Sequence, residues 1–170
     1  VNLGSNIFDR QVFAGLVTPF GAFTAGRQYT PGYQASTAFD AMKTQSSLAL
    51  GQLVAIPASF DIRVSNSLQY GIQLDGLTAT VMYGAGEVAG RSSAGRLLGV
   101  MAMYNGNGYS FGGGYNTRNN ELGKKSLTNA ILGATVDVGP GTLTGEFASF
   151  KDDNPTGLSS ISASLAANPA

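Results

Sequence analysis

The chain of 170 residues contains no cysteine, no histidine and no tryptophan. Without cysteine or histidine, this chain cannot supply a disulfide framework, a zinc finger, a haem ligand set or a Ser-His-Asp or Cys-His catalytic site. Charge is also scarce, because only 12% of the residues are charged, against roughly 25% in an average soluble domain. Ten basic and ten acidic residues give a net charge of zero, which is unfavourable for binding nucleic acid. We therefore expect no enzymatic activity, no cofactor, no metal site and no nucleic-acid partner.

Long apolar runs are absent as well. The longest apolar region, residues 48–58, is interrupted by Gly51, Gln52 and Pro57. It is shorter than the run of about 20 apolar residues that a membrane-spanning helix requires. Any crossing of a membrane by this chain would therefore be made by strands. A hydrophobic content of 43% is nevertheless enough to bury a core, so we expect a folded chain.

Alternation with a period of two residues is the strongest pattern in the sequence. From Arg63 to Leu74, every second residue is polar or glycine, and the residues between them are mostly apolar. Asp75-Gly76 follows, a dipeptide that favours the tight turn of a β-hairpin, and the alternation resumes over residues 77–84. This pattern predicts two antiparallel strands with one apolar face.

The same unit recurs along the chain, giving further hairpins over residues 13–29, 97–118 and 131–150. We count eight predicted strands of about 9–11 residues, a length that crosses a bilayer when the strands are tilted. Tight turns alternate with long polar connections, as in outer-membrane β-barrels. The predicted fold class is therefore all-β, an antiparallel transmembrane β-barrel. The residues on its non-lipid face are small or polar, which predicts a wide, water-filled lumen: Ser65, Ser67, Gln69, Gly71, Thr78, Thr80, Gly84, Gly112, Gly114, Gly133 and Thr135.

One connection is much longer than the others and spans about residues 31–61. Ser36 or Thr37 is expected to cap a short helix that runs through Phe39 and Met42. A connection of this length is either an excursion over the surface or a functional segment folded into the lumen.

Several segments resemble the general diffusion porins of Gram-negative outer membranes, with the β-proteobacterial type as the nearest. The similar segments are residues 9–16 (DRQVFAGL), 20–31 (FGAFTAGRQYTP), 60–70 (FDIRVSNSLQY) and 82–87 (MYGAGE). The resemblance implies a barrel of sixteen strands, of which residues 1–170 form the central portion of a single domain with about eight strands, and a loop at about 31–61 that folds inward. It also implies an outer-membrane homotrimer that lets ions and small hydrophilic solutes diffuse passively, with membrane lipid around it.

Five charged residues are candidates for function. Arg10 and Arg63 lie on the polar face by alternation and match wall arginines of the family's pore constriction, which favours a role in the pore; an arginine paired to a loop carboxylate for stability alone is the alternative. The resemblance makes Asp40, in the long loop, the first choice for an opposing carboxylate and Asp61 the second. Arg27 lies among outward apolar residues, where a subunit interface would explain it.

Three alternatives remain open. A complete eight-stranded barrel could serve as a membrane anchor or adhesion protein, but its interior should be filled with bulky side chains. A soluble lipocalin-like binding barrel would need its apolar faces turned inward. An outer-membrane hydrolase is the enzymatic alternative, and the lack of histidine removes its usual base.

Overall fold

The computed structural model describes residues 10–41 and 62–153, together with the backbone of residues 161–164. The elements in chain order are β1 (Val12–Thr18), β2 (Gly21–Tyr29), α1 (Pro31–Phe39), β3 (Arg63–Leu74), β4 (Leu77–Gly84), β5 (Leu97–Asn105), β6 (Tyr109–Asn119), β7 (Lys125–Val138), β8 (Gly141–Asp152) and β9 (Ile161–Ser164). No helix within these ranges is both long enough and apolar enough to cross a membrane.

The strands form one antiparallel sheet in which spatial order follows chain order from β1 to β9. The predicted all-β class is confirmed, and a short ninth strand follows the eight that were predicted. The sheet is open, since β1 and β9 are its two edges and, within the described ranges, β1 pairs with β2 alone. Residues 10–16 accordingly make no ladder with residues 142–150.

One face of the sheet is apolar and exposed. Along β7, Leu132 is 63% exposed whereas its neighbour Ile131 is 1% exposed, so the two faces have opposite environments. The same outward face carries Leu16, Val81, Val100, Phe111 and Phe147. An exposed apolar surface of this extent is stable only against a nonpolar environment, as on the lipid-facing side of a transmembrane barrel.

The hairpin turn at residues 75–76 has the predicted geometry. Asp75 has a φ of 36° and Gly76 a φ of 84°, the paired positive values of a type I′ turn. The alternation in β3, by contrast, is not continuous. A bulge at Asn66, whose φ is 52°, inserts an extra residue opposite β2, so that Ser65 and Ser67 do not share a face as predicted.

Strand β7 begins at Lys125, six residues before the predicted start at Ile131. Residues 125–129 are mainly polar, and the sequence therefore indicated a loop there. They nevertheless continue the ladder with β6. The reason is that a strand extending out of the lipid region keeps its backbone pairing while its outward face no longer needs to be apolar.

Helix α1 begins at Pro31, earlier than predicted. Thr30 is the N-cap residue, and its side-chain oxygen accepts a hydrogen bond from the Tyr33 amide at 3.3 Å. The predicted cap at Ser36 or Thr37 is therefore wrong, because a threonine followed by proline at the first helical position is the better start signal. The helix ends at Phe39 with Asp40 as its C-cap, so the prediction that it runs through Met42 is wrong; Met42 itself lies outside the described residues.

The core lies between α1 and the inward face of the sheet. Its buried members are Ala35 of the helix and four strand residues, with Tyr33 and Ile62 packed against them: Met101, Ile131, Ala148 and Phe150. At the start of the long connection, α1 therefore packs on the buried face of the sheet and covers part of the wall formed by β5 to β8.

Candidate functional site

Helix α1 packs against glycine residues of the sheet. A Cβ atom at Gly133 would lie 2.2 Å from Cγ of Phe39, and one at Gly114 would lie 2.8 Å from Cβ of Ala35. Such distances are far below van der Waals contact, so only glycine allows the helix to approach this closely. At these positions the wall faces the helix instead of the open water that we expected.

The first turn of α1 is attached to the wall by a side chain of β6. The backbone N–H of Gly32 donates a hydrogen bond to Oδ1 of Asn116 at 3.0 Å. Asn116 is only 1% exposed, and its Nδ2 atom is buried without a hydrogen-bond partner among the described residues. The first amides of a helix have no partner within the helix, and Asn116 satisfies one of them.

Arg10 and Arg63 converge on one phenol oxygen. Nη2 of Arg63 donates to Oη of Tyr29 at 3.2 Å, and Nη2 of Arg10 donates to the same atom at 3.5 Å. The Arg63 guanidinium also lies 4.8 Å from the centre of the Tyr29 ring, a cation–π distance. The structure thus brings the two predicted wall arginines together, and we call Arg10, Tyr29 and Arg63 the arginine cluster.

The positive charge of this cluster is not neutralised within the part of the chain that the structure describes, where neither arginine forms an ion pair. The hydrogen bond to the Tyr29 hydroxyl raises the pKa of Arg10 above its usual value, which keeps this guanidinium protonated. Nε of Arg63 is buried and has no hydrogen-bond partner within residues 10–41 and 62–153. The cluster is therefore a local source of positive potential.

The cluster is continuous with α1. The ring of Tyr29 stacks on the ring of Tyr33 in the first turn, with 4.8 Å between the centroids. Nε2 of Gln34 donates to the Tyr29 carbonyl at 3.1 Å and to Oε1 of Gln69 on β3 at 3.3 Å. One short helix therefore contacts the wall strands on one side and the arginine cluster on the other.

Asp40 lies at the opposite end of the helix. It is the C-cap residue, its backbone N–H donates to the Ser36 carbonyl at 2.8 Å, and it is 5% exposed. The structure does not bring Asp40 together with Arg10 or Arg63, neither of which forms an ion pair with a described residue. Asp61, the second predicted carboxylate, lies outside the described residues.

A carboxyl group that the sequence analysis did not single out lies beside Asp40. Glu146 of β8 is 3% exposed, and its carboxyl group lies beside the Ser36 hydroxyl and the Asp40 carboxyl group, with no well-formed hydrogen bond to either oxygen within the described ranges. Its position could have been found from the sequence, because Leu143 and Phe147 are outward residues of the same strand. Two buried acidic residues thus lie near the C-terminal end of α1.

Arg27, the predicted interface residue, has a partner within its own chain. Its Nη1 donates to Oγ of Ser65 on the neighbouring strand at 2.9 Å. Arg27 also lines a recess of about 400 Å³ with Arg63 and Glu87. The other lining residues are Val64, Ser65, Ala85, Val88, Gly95, Arg118 and Glu121. The hydrogen bond accounts for part of the polar environment that Arg27 requires.

Comparison with known proteins is consistent with this architecture. A family model described as Gram-negative porin matches residues 2–167. Among solved structures, the anion-selective porin from Comamonas acidovorans superposes with a TM-score of 0.67 at 24% identity, over 86% of this chain and 48% of that one. The outer-membrane expressed OmpT of Vibrio cholerae superposes with a TM-score of 0.56 at 19% identity, over 84% of this chain and 48% of that one.

A variant of OmpT that lacks loop L8 gives a TM-score of 0.57 at 19% identity, over 85% of this chain and 51% of that one. The chain thus spans about half the length of the structures that it matches, and these likenesses show the fold. No match was found among curated proteins. Because the family model covers nearly all of the sequence, the chain belongs to the Gram-negative porin family and is located in the outer membrane.

Proposed function

We propose that this chain forms part of the wall of a water-filled channel through which ions and small hydrophilic solutes diffuse passively, with no reaction catalysed. The observation that carries the proposal is the position of α1, which lies on the inward face of the sheet with the arginine cluster beside its first turn. A helix in this place narrows the space enclosed by the sheet. The charged groups next to it then act on whatever passes.

We further propose that residues 1–170 are the central portion of a single barrel domain of sixteen strands, which assembles as a homotrimer. The open sheet supports this, since an unpaired strand edge in a bilayer leaves backbone amides and carbonyls without partners. Additional strands on β1 and β9 would satisfy these edges. A closed eight-stranded anchor would need pairing between β1 and β8, whereas β8 pairs with β7 and β9.

The charges around α1 suggest how the channel sorts ions. Arg10 and Arg63 lie near its N-terminal end through Tyr29 and Tyr33, and Asp40 and Glu146 lie near its C-terminal end. The helix dipole is positive at the N-terminus, so it adds to this separation of charge. We propose that Arg10, Arg63 and Asp40 set the field in the constriction.

We propose an anion preference, because the charged groups at the two ends of α1 differ in their exposure. The arginine cluster has no carboxylate partner within the described ranges, while Asp40 and Glu146 are both buried. A permeating anion therefore meets the positive end more directly. The anion-selective porin from Comamonas acidovorans has the same fold, which is compatible with this preference.

Recordings in planar lipid bilayers test the proposal. The purified full-length protein is expected to insert with stepwise increases in conductance, and vesicles that contain it should swell in small sugars but not in large polysaccharides. Protein that inserts without conductance steps and leaves vesicles impermeable to small sugars would favour an anchor or adhesion role instead.

A further inference from the structure

We infer that Gly133 and Asn116 are positioning residues for the arginine cluster, so that the wall beneath α1 tunes ion preference through the helix. This inference rests on the proposed channel function and adds to it two residues of the wall that carry no charge. Within the described part of the chain, neither residue forms a hydrogen bond with Arg10, Tyr29 or Arg63. Their effect on the cluster would therefore be transmitted through α1.

The C-terminal end of α1 is fixed by the contact between Phe39 and Gly133. Phe39 is 1% exposed, and a Cβ atom at position 133 would lie 2.2 Å from its Cγ and 2.3 Å from its Cβ. These atoms are close to the helix backbone, so rotation of the ring cannot relieve the overlap. A side chain at position 133 must therefore push the end of the helix away from the wall.

The N-terminal end is fixed by Asn116. Its side chain accepts the hydrogen bond from the Gly32 amide and is enclosed so tightly that a Cβ atom at Gly32 would lie 2.5 Å from its Nδ2. The two ends of α1 are thus held by different interactions on different strands, one steric on β7 and one polar on β6. Together they fix the distance of α1 from the sheet and its tilt relative to the strands.

The arginine cluster is connected to the same rigid body. Tyr33 lies six residues before Phe39, which is about 9 Å along a helix axis. Its ring stacks on Tyr29, and Gln34 of the same turn donates to the Tyr29 carbonyl. If α1 is displaced at Phe39, Tyr33 and Gln34 move with it and shift the Tyr29 ring that they contact. The Arg63 guanidinium lies over this ring, so its position changes as well.

The test is a double-mutant cycle on ion preference in the full-length protein. Reversal potentials in a potassium chloride gradient are measured for the wild type, Gly133→Ala, Arg63→Ala and the double variant. We expect Gly133→Ala to lower the chloride-to-potassium permeability ratio by roughly twofold, and its effect and that of Arg63→Ala to be non-additive, as for residues coupled through shared contacts.

Gly71→Ala is the matched control. Gly71 is an inward glycine of β3, and a Cβ atom there would meet only ordinary contacts, at 3.7 Å from Oγ1 of Thr80 and 3.9 Å from the Ala79 carbonyl. We expect this variant to keep the wild-type ratio and to combine additively with Arg63→Ala. If Gly133→Ala fails to assemble, Asn116→Ala takes its place in the same cycle.

The outcomes separate the inference from the proposed function. A conducting Gly133→Ala channel with the wild-type permeability ratio, or one whose shift adds in full to that of Arg63→Ala, would overturn the inference and leave the channel function intact. A wild-type protein without conductance would instead overturn the proposed function. If the Gly133 and Asn116 variants combine non-additively with Arg63→Ala while Gly71→Ala combines additively, the result would support the inference that α1 positions the arginine cluster.

Discussion

Arg63 interacts with both parts of the Tyr29 side chain, since its guanidinium donates a hydrogen bond to the hydroxyl at 3.2 Å and lies 4.8 Å from the centre of the ring. Arg10 donates to the same hydroxyl from the chain segment that precedes β1. Tyr29 therefore holds two like charges near one another. It does so at the point where β2 leads into the inward helix.

Replacing Tyr29 with Phe separates the role of the hydroxyl from that of the charges. The ring and both guanidinium groups remain, so the reversal potential should move less than in Arg63→Ala, while the lost hydrogen bonds should lower stability by about 1 kcal/mol. Tyr70→Phe, which removes a hydroxyl bonded to the Phe20 carbonyl, is the control. A shift in Tyr29→Phe as large as that in Arg63→Ala would mean that the hydroxyl sets the ion preference.

Glu146→Gln is expected to stabilise the protein. Both carboxylate oxygens of Glu146 are buried without a well-formed hydrogen bond in the described part of the chain, although the Ser36 hydroxyl lies beside them, and the Asp40 carboxyl group lies nearby. An amide of the same shape carries no charge and can donate a hydrogen bond to the nearby Asp40 carboxyl group, so the free energy of unfolding should rise by about 1–3 kcal/mol. Thermal unfolding in detergent measures this, with Glu121→Gln on an exposed loop as the control. An unchanged or lower melting temperature for Glu146→Gln would contradict the account.

Asn116→Ala should loosen α1. The substitution leaves the Gly32 amide buried without its acceptor, at a cost of about 1–3 kcal/mol that falls on the helix and its contacts. We expect faster cleavage between residues 29 and 63 in limited proteolysis of the detergent-solubilised protein. Asn119→Ala, which removes an exposed hydrogen bond to the Ser93 carbonyl, should leave the cleavage rate unchanged. Equal rates in all three proteins would show that Asn116 does not hold the helix.

Arg27→Ala tests the proposed trimer. If Arg27 contacts a neighbouring subunit, its removal should lower the melting temperature of the trimer in a gel-shift assay while single-channel conductance stays near the wild-type value. Ser65→Ala removes the partner within the chain and leaves the arginine in place. Similar losses in both variants would assign the effect to the intrachain hydrogen bond, and a loss in Arg27→Ala alone would assign it to the interface.

Local patterns in the sequence were sufficient to predict the hairpins. Alternation of apolar residues set the faces of β3 and β4, and the dipeptide Asp75-Gly76 set the turn between them, because positive φ values are restricted to few residue types. The bulge at Asn66 was missed, since an extra residue in a strand leaves no signal in composition. The start of β7 was missed because polar residues outside the lipid region still pair.

The position of α1 on the sheet could not be predicted from the sequence, because it depends on which strands lie under the helix. Gly114 and Gly133 are 19 positions apart in the chain and are brought under one helix only by the sheet. Alternation and the resemblance predicted that Arg10 and Arg63 would each lie on the polar face, but not that they would share one partner, and the bulge at Asn66 interrupts the alternation on which the position of Arg63 was based. The role of Tyr29 as their shared acceptor was not predicted, since an aromatic residue at a strand end is also ordinary sheet packing.

The most direct test of the central claim is the reversal potential of the full-length channel in planar bilayers, with and without Arg63→Ala. We expect an anion preference in the wild type and a shift toward cations in Arg63→Ala, whereas Arg91→Ala, in an exposed loop, should behave as the wild type. The shift should be larger at 0.1 M salt than at 1 M, because the Debye length falls from about 10 Å to about 3 Å. Identical reversal potentials in the wild type and Arg63→Ala at 0.1 M salt would contradict the claim that the arginine cluster sets the field of the pore.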